Sequence, residues 1–284
     1  MKIDQAVKEN LIDRFEMMAL AEQICALNRQ GKHIASLKSV EFENGQFVFP
    51  LVVDVKKKEI LFYLSMLLAA FLTMTNKRLT SIFLNHYLAC LNDPQSYKYL
   101  PKARRKPFIV ACGGLSGSGK SRVAREIAPS LGQPLGAIVI RDDIIRKQIA
   151  GVSFDTELDE SFYTPENEKK VYRLMRLQAK YVIAAGYPVI FDALFYNREE
   201  RQNVERFATK MKVPFEGFWM NAPMKTRLER IQTRQHNPSD VKDEQALQKQ
   251  LVQNTGVIWW RVINTDMPKD QTIAKVQKSL KKYM

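Results

Sequence analysis

Residues 107–121 read PFIVACGGLSGSGKS, and their order decides the fold. An apolar run, Pro107 to Cys112, leads into Gly114-Leu115-Ser116-Gly117-Ser118-Gly119-Lys120-Ser121, which fits GxxxxGK[ST] without a mismatch. Glycines at these spacings let the backbone curl until successive N–H groups face inward, a nest for phosphate oxygens. A helix opening at Lys120 adds its positive N-terminal end to that nest. Lys120 supplies a point charge to the β- and γ-phosphates, and Ser121 offers a hydroxyl to Mg²⁺. Gly114, Ser116, Gly117, Ser118, Gly119, Lys120, Ser121 and Arg122 are therefore the expected nucleotide-binding set, with ATP and Mg²⁺ as the ligands.

Downstream, strands and helices alternate. AIVI (137–140), PVIFDALF (188–195), FEGFWM (215–220) and RVINT (261–265) read as strands two to five. Helical patterns open at Asp143, Pro165, Arg198, Pro223 and Asp243, and a basic helix closes the chain. Strands apolar on both faces and separated by helices predict an α/β fold, a parallel sheet covered by helices on both faces.

In open α/β sheets ligands sit beyond the C-terminal ends of the strands, so the residues just after each strand are the candidates for chemistry. Strand two ends in Arg141-Asp142-Asp143-Ile144-Ile145-Arg146. Asp143 and Arg146, three apart, share a face in the first helical turn. That spacing favours Asp143 over Asp142 as the acid taking a proton from an acceptor hydroxyl, with Arg146 holding the acceptor or its phosphate. Strand three ends at Asp192, an acid placed to hold Mg²⁺ with Ser121 or to orient the acceptor. Helix capping is the structural alternative for either acid. The helix over 223–234 carries Arg227, Arg230 and Arg234 ahead of a polar loop, Gln235 to Asp240. A mobile lid bearing Arg230 and Arg234 would neutralise charge on a transferred phosphoryl group.

The first hundred residues read differently. Helical patterns lie around 5–27 and 79–91, and ASLKSVEF and QFVFPLVV form an expected hairpin hinged on Glu43-Asn44-Gly45. Ile60 to Thr75 runs sixteen residues without a charge. A bilayer span wants roughly 17–25 such residues, so this stretch is expected to be a core helix. Pro101-Lys102-Ala103-Arg104-Arg105-Lys106-Pro107 reads as a linker, dividing the chain at residue 106 into a small mainly helical domain (1–106) and a phosphate-loop domain (107–284).

At 284 residues, 45% hydrophobic and 26% charged, the composition is globular and excludes disordered and collagen-like classes. Cys25, Cys90 and Cys112 fit no disulfide framework and no zinc knuckle, so a reducing, cytoplasmic setting is expected. MKIDQAVKENLIDRFEMM lacks the apolar run of a signal peptide. The net charge of +14 divides as +6 over residues 1–106 and +8 over 107–284, so no segment stands out as a nucleic-acid arm.

GGLSGSGKS, RDDIIRKQIAG, GYPVIFDALF and NAPMKTRLERIQTR, in that order, resemble the small P-loop kinase-like domains called AAA_33, related to polynucleotide kinases, zeta toxins and gluconate-type kinases. The resemblance covers roughly 107–265. It implies a nucleoside-monophosphate-kinase-like P-loop fold, Gly117, Gly119, Lys120 and Ser121 on ATP–Mg²⁺, Asp143 as base, Arg146 at the acceptor, and Arg230 and Arg234 in the lid. One departure is Leu194, where the family often has a hydroxyl residue. Residues 32–64, KHIASLKSVEFENGQFVFPLVVDVKKKEILFYL, resemble the C-terminal part of an aminoglycoside-phosphotransferase-like domain, with Lys32 where a catalytic Asp belongs. That implies a truncated, catalytically dead remnant.

These readings converge on an ATP-dependent kinase acting on a hydroxyl of a small molecule, nucleotide or sugar. Two alternatives stay open. One is an ATP-binding NTPase module without an acceptor. The other is a 5′-hydroxyl polynucleotide kinase, whose binding would weaken steeply with salt. The charge permits a nucleic-acid partner without favouring one. The sequence does not determine the oligomeric state.

Overall fold

The computed structural model describes residues 1–30, 32–34, 37, 40–49, 52–54, 76–91, 97, 100, 106–132, 136–154, 156–233, 247 and 255–284. The expected core helix over 60–75, the linker residues 101–105, Arg234, the lid loop 235–240 and, apart from Leu247, the helix expected from Asp243 lie outside these residues. No described helix is long and apolar enough to cross a membrane.

The N-terminal helical pattern divides into α1 (Ile3–Lys8) and α2 (Arg14–Arg29) rather than one helix. Asn10 takes a positive φ of 57° between them, and Asp13 caps α2. The Asp13 carboxylate accepts from the N–H of Phe15 at 2.6 Å and of Glu16 at 3.3 Å. Glu16 in turn accepts from the N–H of Asp13 at 2.8 Å, closing a capping box that fixes where α2 begins. Strands β1 (Lys32–Ile34), β2 (Glu41–Glu43), β3 (Gln46–Val48) and β4 (Val52–Asp54) form two antiparallel pairs, β1 with β4 and β2 with β3. The tight turn falls where expected, because Asn44 and Gly45 both tolerate positive φ, 50° and 77°.

Helix α3 (Lys77–Leu91) packs along α2 and then meets the phosphate-loop region. That region contains β5 (Ile109–Gly113), α4 (Lys120–Ile127), β6 (Ile138–Arg141), α5 (Asp142–Ala150), α6 (Pro165–Ala184), β7 (Val189–Asp192), α7 (Arg198–Met211), β8 (Phe215–Asn221), α8 (Met224–Gln232), β9 (Arg261–Asn264) and α9 (Lys269–Leu280). The five strands run parallel in the order β6-β7-β5-β8-β9. β5 and β7 are buried throughout, as strands covered on both faces must be. Along β5, Ile109 and Ala111 join one hydrophobic cluster, and Val110 and Cys112 join the other with α4 and α9.

The first of these clusters also contains Ile3, Leu20, Ile24, Phe83 and Tyr87. The N-terminal helices thus share a core with the sheet rather than hanging from it. α3 also covers the exposed edge of β6. The N–H of Val139, on the edge strand of the sheet among the described residues, donates to Asn85 Oδ1 at 2.6 Å. Gln148 donates to Ala89 O at 2.6 Å, and Arg78 pairs with Glu126 at 2.8 Å.

Between α2 and α3, His86 is buried and its Nε2 lies 2.7 Å from Glu22 Oε1. Burial alone would lower its pKa, but Cys90 and Glu22 outweigh that and hold it up at about 9. A folded-state pKa above the unfolded value gives stability that is full below about pH 6.5 and lost as pH rises through about 9. The melting temperature is therefore expected to fall across that window, and His86→Gln to flatten the fall. An unchanged slope in His86→Gln would remove His86 as its source.

Candidate active site

The phosphate loop forms because its glycines do what other residues cannot. Gly119, at φ 93°, caps α4 in the left-handed region. Gly117, at φ 79°, lies so close to α8 that a Cβ there would stand 2.5 Å from the Arg227 carbonyl oxygen. Lys120 is buried at the start of α4. The Ser121 hydroxyl donates to Asp192 Oδ1 at 3.1 Å, bringing together the two groups expected to hold Mg²⁺. A hydroxyl and a carboxylate are hard oxygen donors, which suit a cation that keeps most of its waters and takes phosphate oxygens.

Parallel register sets Arg141, the last residue of β6, beside Asp192, the last of β7. Arg141 Nε lies 3.1 Å from Asp192 Oδ2 and its Nη2 3.4 Å from Asp143 Oδ2. Asp143 and Arg146 lie in the first turns of α5, and each has an ion-pair partner of its own. Asp143 faces Arg141 and is partly exposed. Arg146 pairs with Glu168 at 2.8 Å and stacks over the Tyr163 ring at 4.7 Å.

Asp142, not Asp143, sits in the centre of the charges. It is 3% exposed. Its Oδ1 accepts the N–H of Asp143 at 2.8 Å and its Oδ2 that of Leu194 at 3.1 Å. Burial, then Asp143 and Asp192, push its pKa up to about 7 against the pull of Lys120 and Arg146. Leu194 therefore serves the site through its backbone, since its carbonyl also accepts the N–H of Gly114 at 3.1 Å. Losing a side-chain hydroxyl at that position leaves both contacts in place.

Arg230 is held against the phosphate loop rather than projecting from a lid. It donates to Thr265 O at 2.7 Å and to Gly117 O at 3.4 Å. Two residues not expected at the site brace the loop from behind. Arg227 donates to Ser116 O at 2.7 Å, and the Thr265 hydroxyl to Ser118 O at 2.6 Å. Arg227 was visible as one of three arginines on its helix, but its inward direction was not. Thr265 carried no signal at all. A cavity of about 360 Å³ opens beside Gly117, Lys120, Ser121 and Arg230 and extends to α2 and α3.

A parallel sheet with a phosphate loop after its central strand, and acids at the ends of β6 and β7, is the fold of the P-loop kinases. Residues 109–253 match the model of the AAA_33 family, described as an AAA domain, and the chain belongs to that family. It is 30% identical over 157 residues to the adenylyl-sulfate kinase of Myxococcus xanthus (strain DK1622), covering 54% of this chain and 75% of that one. Solved structures with similarity include the Mycobacterium tuberculosis APS kinase CysC in complex with AMPPNP and APS, at 17% identity and a TM-score of 0.46 over 62% of this chain and 99% of that one. A gluconokinase from Sinorhizobium meliloti 1021 matches at 21% identity and a TM-score of 0.43, over 63% of this chain and 94% of that one.

Proposed function

We propose that the protein transfers the γ-phosphoryl group of ATP to a hydroxyl of a small molecule, with Asp142 as the base. The observation carrying this reading is the buried carboxylate of Asp142 placed among Lys120, Asp192 and Arg146 at the ends of β6 and β7. The phosphate loop binds the triphosphate, and Lys120 draws charge from its β- and γ-oxygens. Mg²⁺ held through Ser121 and Asp192 would neutralise charge on the same oxygens. Asp142 takes the acceptor proton as the hydroxyl oxygen approaches the γ-phosphorus. Arg146 has two buried nitrogens, Nε and Nη1, without a hydrogen-bond partner, and these would meet the acceptor. Asp142 and Arg146 are both buried, which suits a small acceptor reaching between them better than a long strand lying across a groove.

The test is transfer of label from γ-labelled ATP across sugars, nucleosides, nucleotides and oligonucleotides, with Lys120→Ala alongside. Lys120→Ala is expected to weaken Mg·ATP binding at least about tenfold, the worth of a charged hydrogen bond to phosphate. Hydrolysis sensitive to Lys120→Ala without transfer to any acceptor would favour the NTPase reading. Labelling of oligonucleotide ends alone would favour the polynucleotide kinase.

A further inference from the structure

The cavity beside the phosphate loop has a second end that nucleotide binding does not explain. There it is walled by α2 and α3, which supply Arg14, Phe15, Met18, Ile82 and Asn85. Arg14, Lys120, Arg122, Arg125, Arg141 and Arg230 all line the cavity, and no described carboxylate does. Asp192 and Asp143 offset Arg141, but no described acid pairs with Arg14 or Arg125, and guanidinium groups gathered in one concave site repel one another unless an anion joins them.

Arg125 shows that cost most directly. It lies on α4, five residues beyond the phosphate-loop lysine, and among the described residues no acid lies within ion-pair distance of it. Its Nε is buried without a hydrogen-bond partner. Burial, together with the like charges of Arg14 and Arg141, pushes its pKa down to about 10. Arg14, on α2, lines the same cavity, its guanidinium 4.3 Å from the centre of the Phe15 ring. Arg141 is anchored to Asp192, so it ties this end of the cavity to the expected metal position. Guanidinium groups from three separate segments thus line one space. Arg14 and Arg125 offer planar donor pairs that suit phosphate or sulfate, and Arg141, already facing Asp192 and Asp143, adds positive charge beside them. Phe15, Met18 and Ile82 give the same space an apolar side.

We propose that Arg14, Arg125 and Arg141 form a second oxyanion site, distinct from the phosphate loop, that takes the phosphate or sulfate group of a small molecule bound beside the nucleotide. This rests on reading the phosphate loop as the ATP site. It gives the N-terminal helices a direct part in ligand binding, since Arg14 lies outside the family match. The oxyanion could belong to a separate small molecule or to the nucleotide's own phosphates, and the two sources are separable by experiment.

The full chain is titrated calorimetrically with inorganic phosphate, with and without saturating AMPPNP and Mg²⁺, as wild type, Arg14→Gln, Arg125→Gln and Arg125→Lys. With the nucleotide site filled, the wild type is expected to bind one equivalent of phosphate. Arg14→Gln and Arg125→Gln should each weaken that binding tenfold or more, and Arg125→Lys should weaken it less. AMPPNP affinity should change by less than threefold in all three. Thermal melting checks that each variant is folded, and Arg14, at the start of its helix, tolerates glutamine without a core change. No phosphate binding beside AMPPNP, or binding that ignores Arg14→Gln and Arg125→Gln, overturns the proposal. So does a loss of AMPPNP affinity in these variants that matches the loss for phosphate, because the cluster would then serve the nucleotide. If AMPPNP does not bind the wild type, the ATP-site reading fails by itself. The titration without nucleotide then still decides the cluster, because phosphate held by the glycine loop would not depend on Arg14.

Discussion

Asp142→Asn is expected to lower phosphoryl transfer by about 10²–10⁴-fold, roughly 3–5 kcal/mol of transition-state stabilisation, while Mg·ATP binding changes little. The amide cannot take the acceptor proton, and that loss appears only in the chemical step. The substitution also removes a buried charge that Asp143 and Asp192 oppose, which offsets the loss of one acceptor for the N–H of Asp143 or Leu194. The companion variant separates the two neighbours. Asp143 forms a partly exposed pair with Arg141, worth about 0–1 kcal/mol, so Asp143→Asn should change transfer by less than about tenfold. A pH profile gives an independent readout. The free protein's kcat/KM should rise with pH through an acid limb near 7, the position of Asp142, and Asp142→Asn should abolish that limb. The opposite ranking of the two variants would return the base to Asp143.

Arg201→Leu is expected to destabilise the protein by about 3–5 kcal/mol, one of the largest single effects available in this chain. Arg201 is fully buried and no described acid pairs with it. Its charge is instead solvated by backbone. Nη1 donates to Phe195 O at 2.7 Å and Tyr196 O at 2.8 Å, and Nη2 to Val257 O at 3.2 Å and to Thr255 O. It also lies 5.0 Å from the Trp259 ring centre and 5.6 Å from that of Trp219. One side chain thereby ties the segment after β7 to the segment before β9. Leucine would fill the space but leave carbonyls buried without a donor. The same segment contains Phe195 at φ 49°, a conformation a bulky residue holds only when its surroundings impose it. Releasing it should loosen the Leu194 N–H contact to Asp142, so transfer should fall together with stability. Arg201→Lys should not rescue either property, because an ammonium cannot span carbonyls on two sides. Denaturant midpoints measure the loss, and an unchanged midpoint in Arg201→Leu would overturn it.

Local patterns carried much of the outcome. The phosphate loop is one contiguous segment whose backbone demands glycine where φ is positive, so its residues announce its shape locally even though Arg227, Arg230 and Thr265 brace it from elsewhere. The five parallel strands follow from short apolar runs separated by helical patterns, and the Asn44-Gly45 turn follows from two residues. The single expected N-terminal helix failed because the apolar periodicity continues across Asn10, while Asp13 and Glu16 restart the helix through a capping box. Capping is a matter of three or four hydrogen bonds and leaves the apolar period nearly intact.

The choice between Asp142 and Asp143 was of another kind. Helical spacing ranks them by the company they keep on one helix, whereas burial and distant charges rank them by what β7 and the phosphate loop bring. The Leu194 N–H, Lys120 and Asp192 come from segments 22 to 52 residues away in sequence, so no local pattern registers them. Arg201, Arg227 and Thr265 were silent for the same reason, since their partners are backbone carbonyls, which every residue has. The sequence alone determined the phosphate loop, the alternation of strands and helices, and hence a fold that binds a nucleoside triphosphate. Only the tertiary structure decided which acid sits among the charges, that Arg230 braces the loop, and that α3 closes on the edge of β6. Those outcomes depend on desolvation and long-range contact, which exist only once the chain has folded.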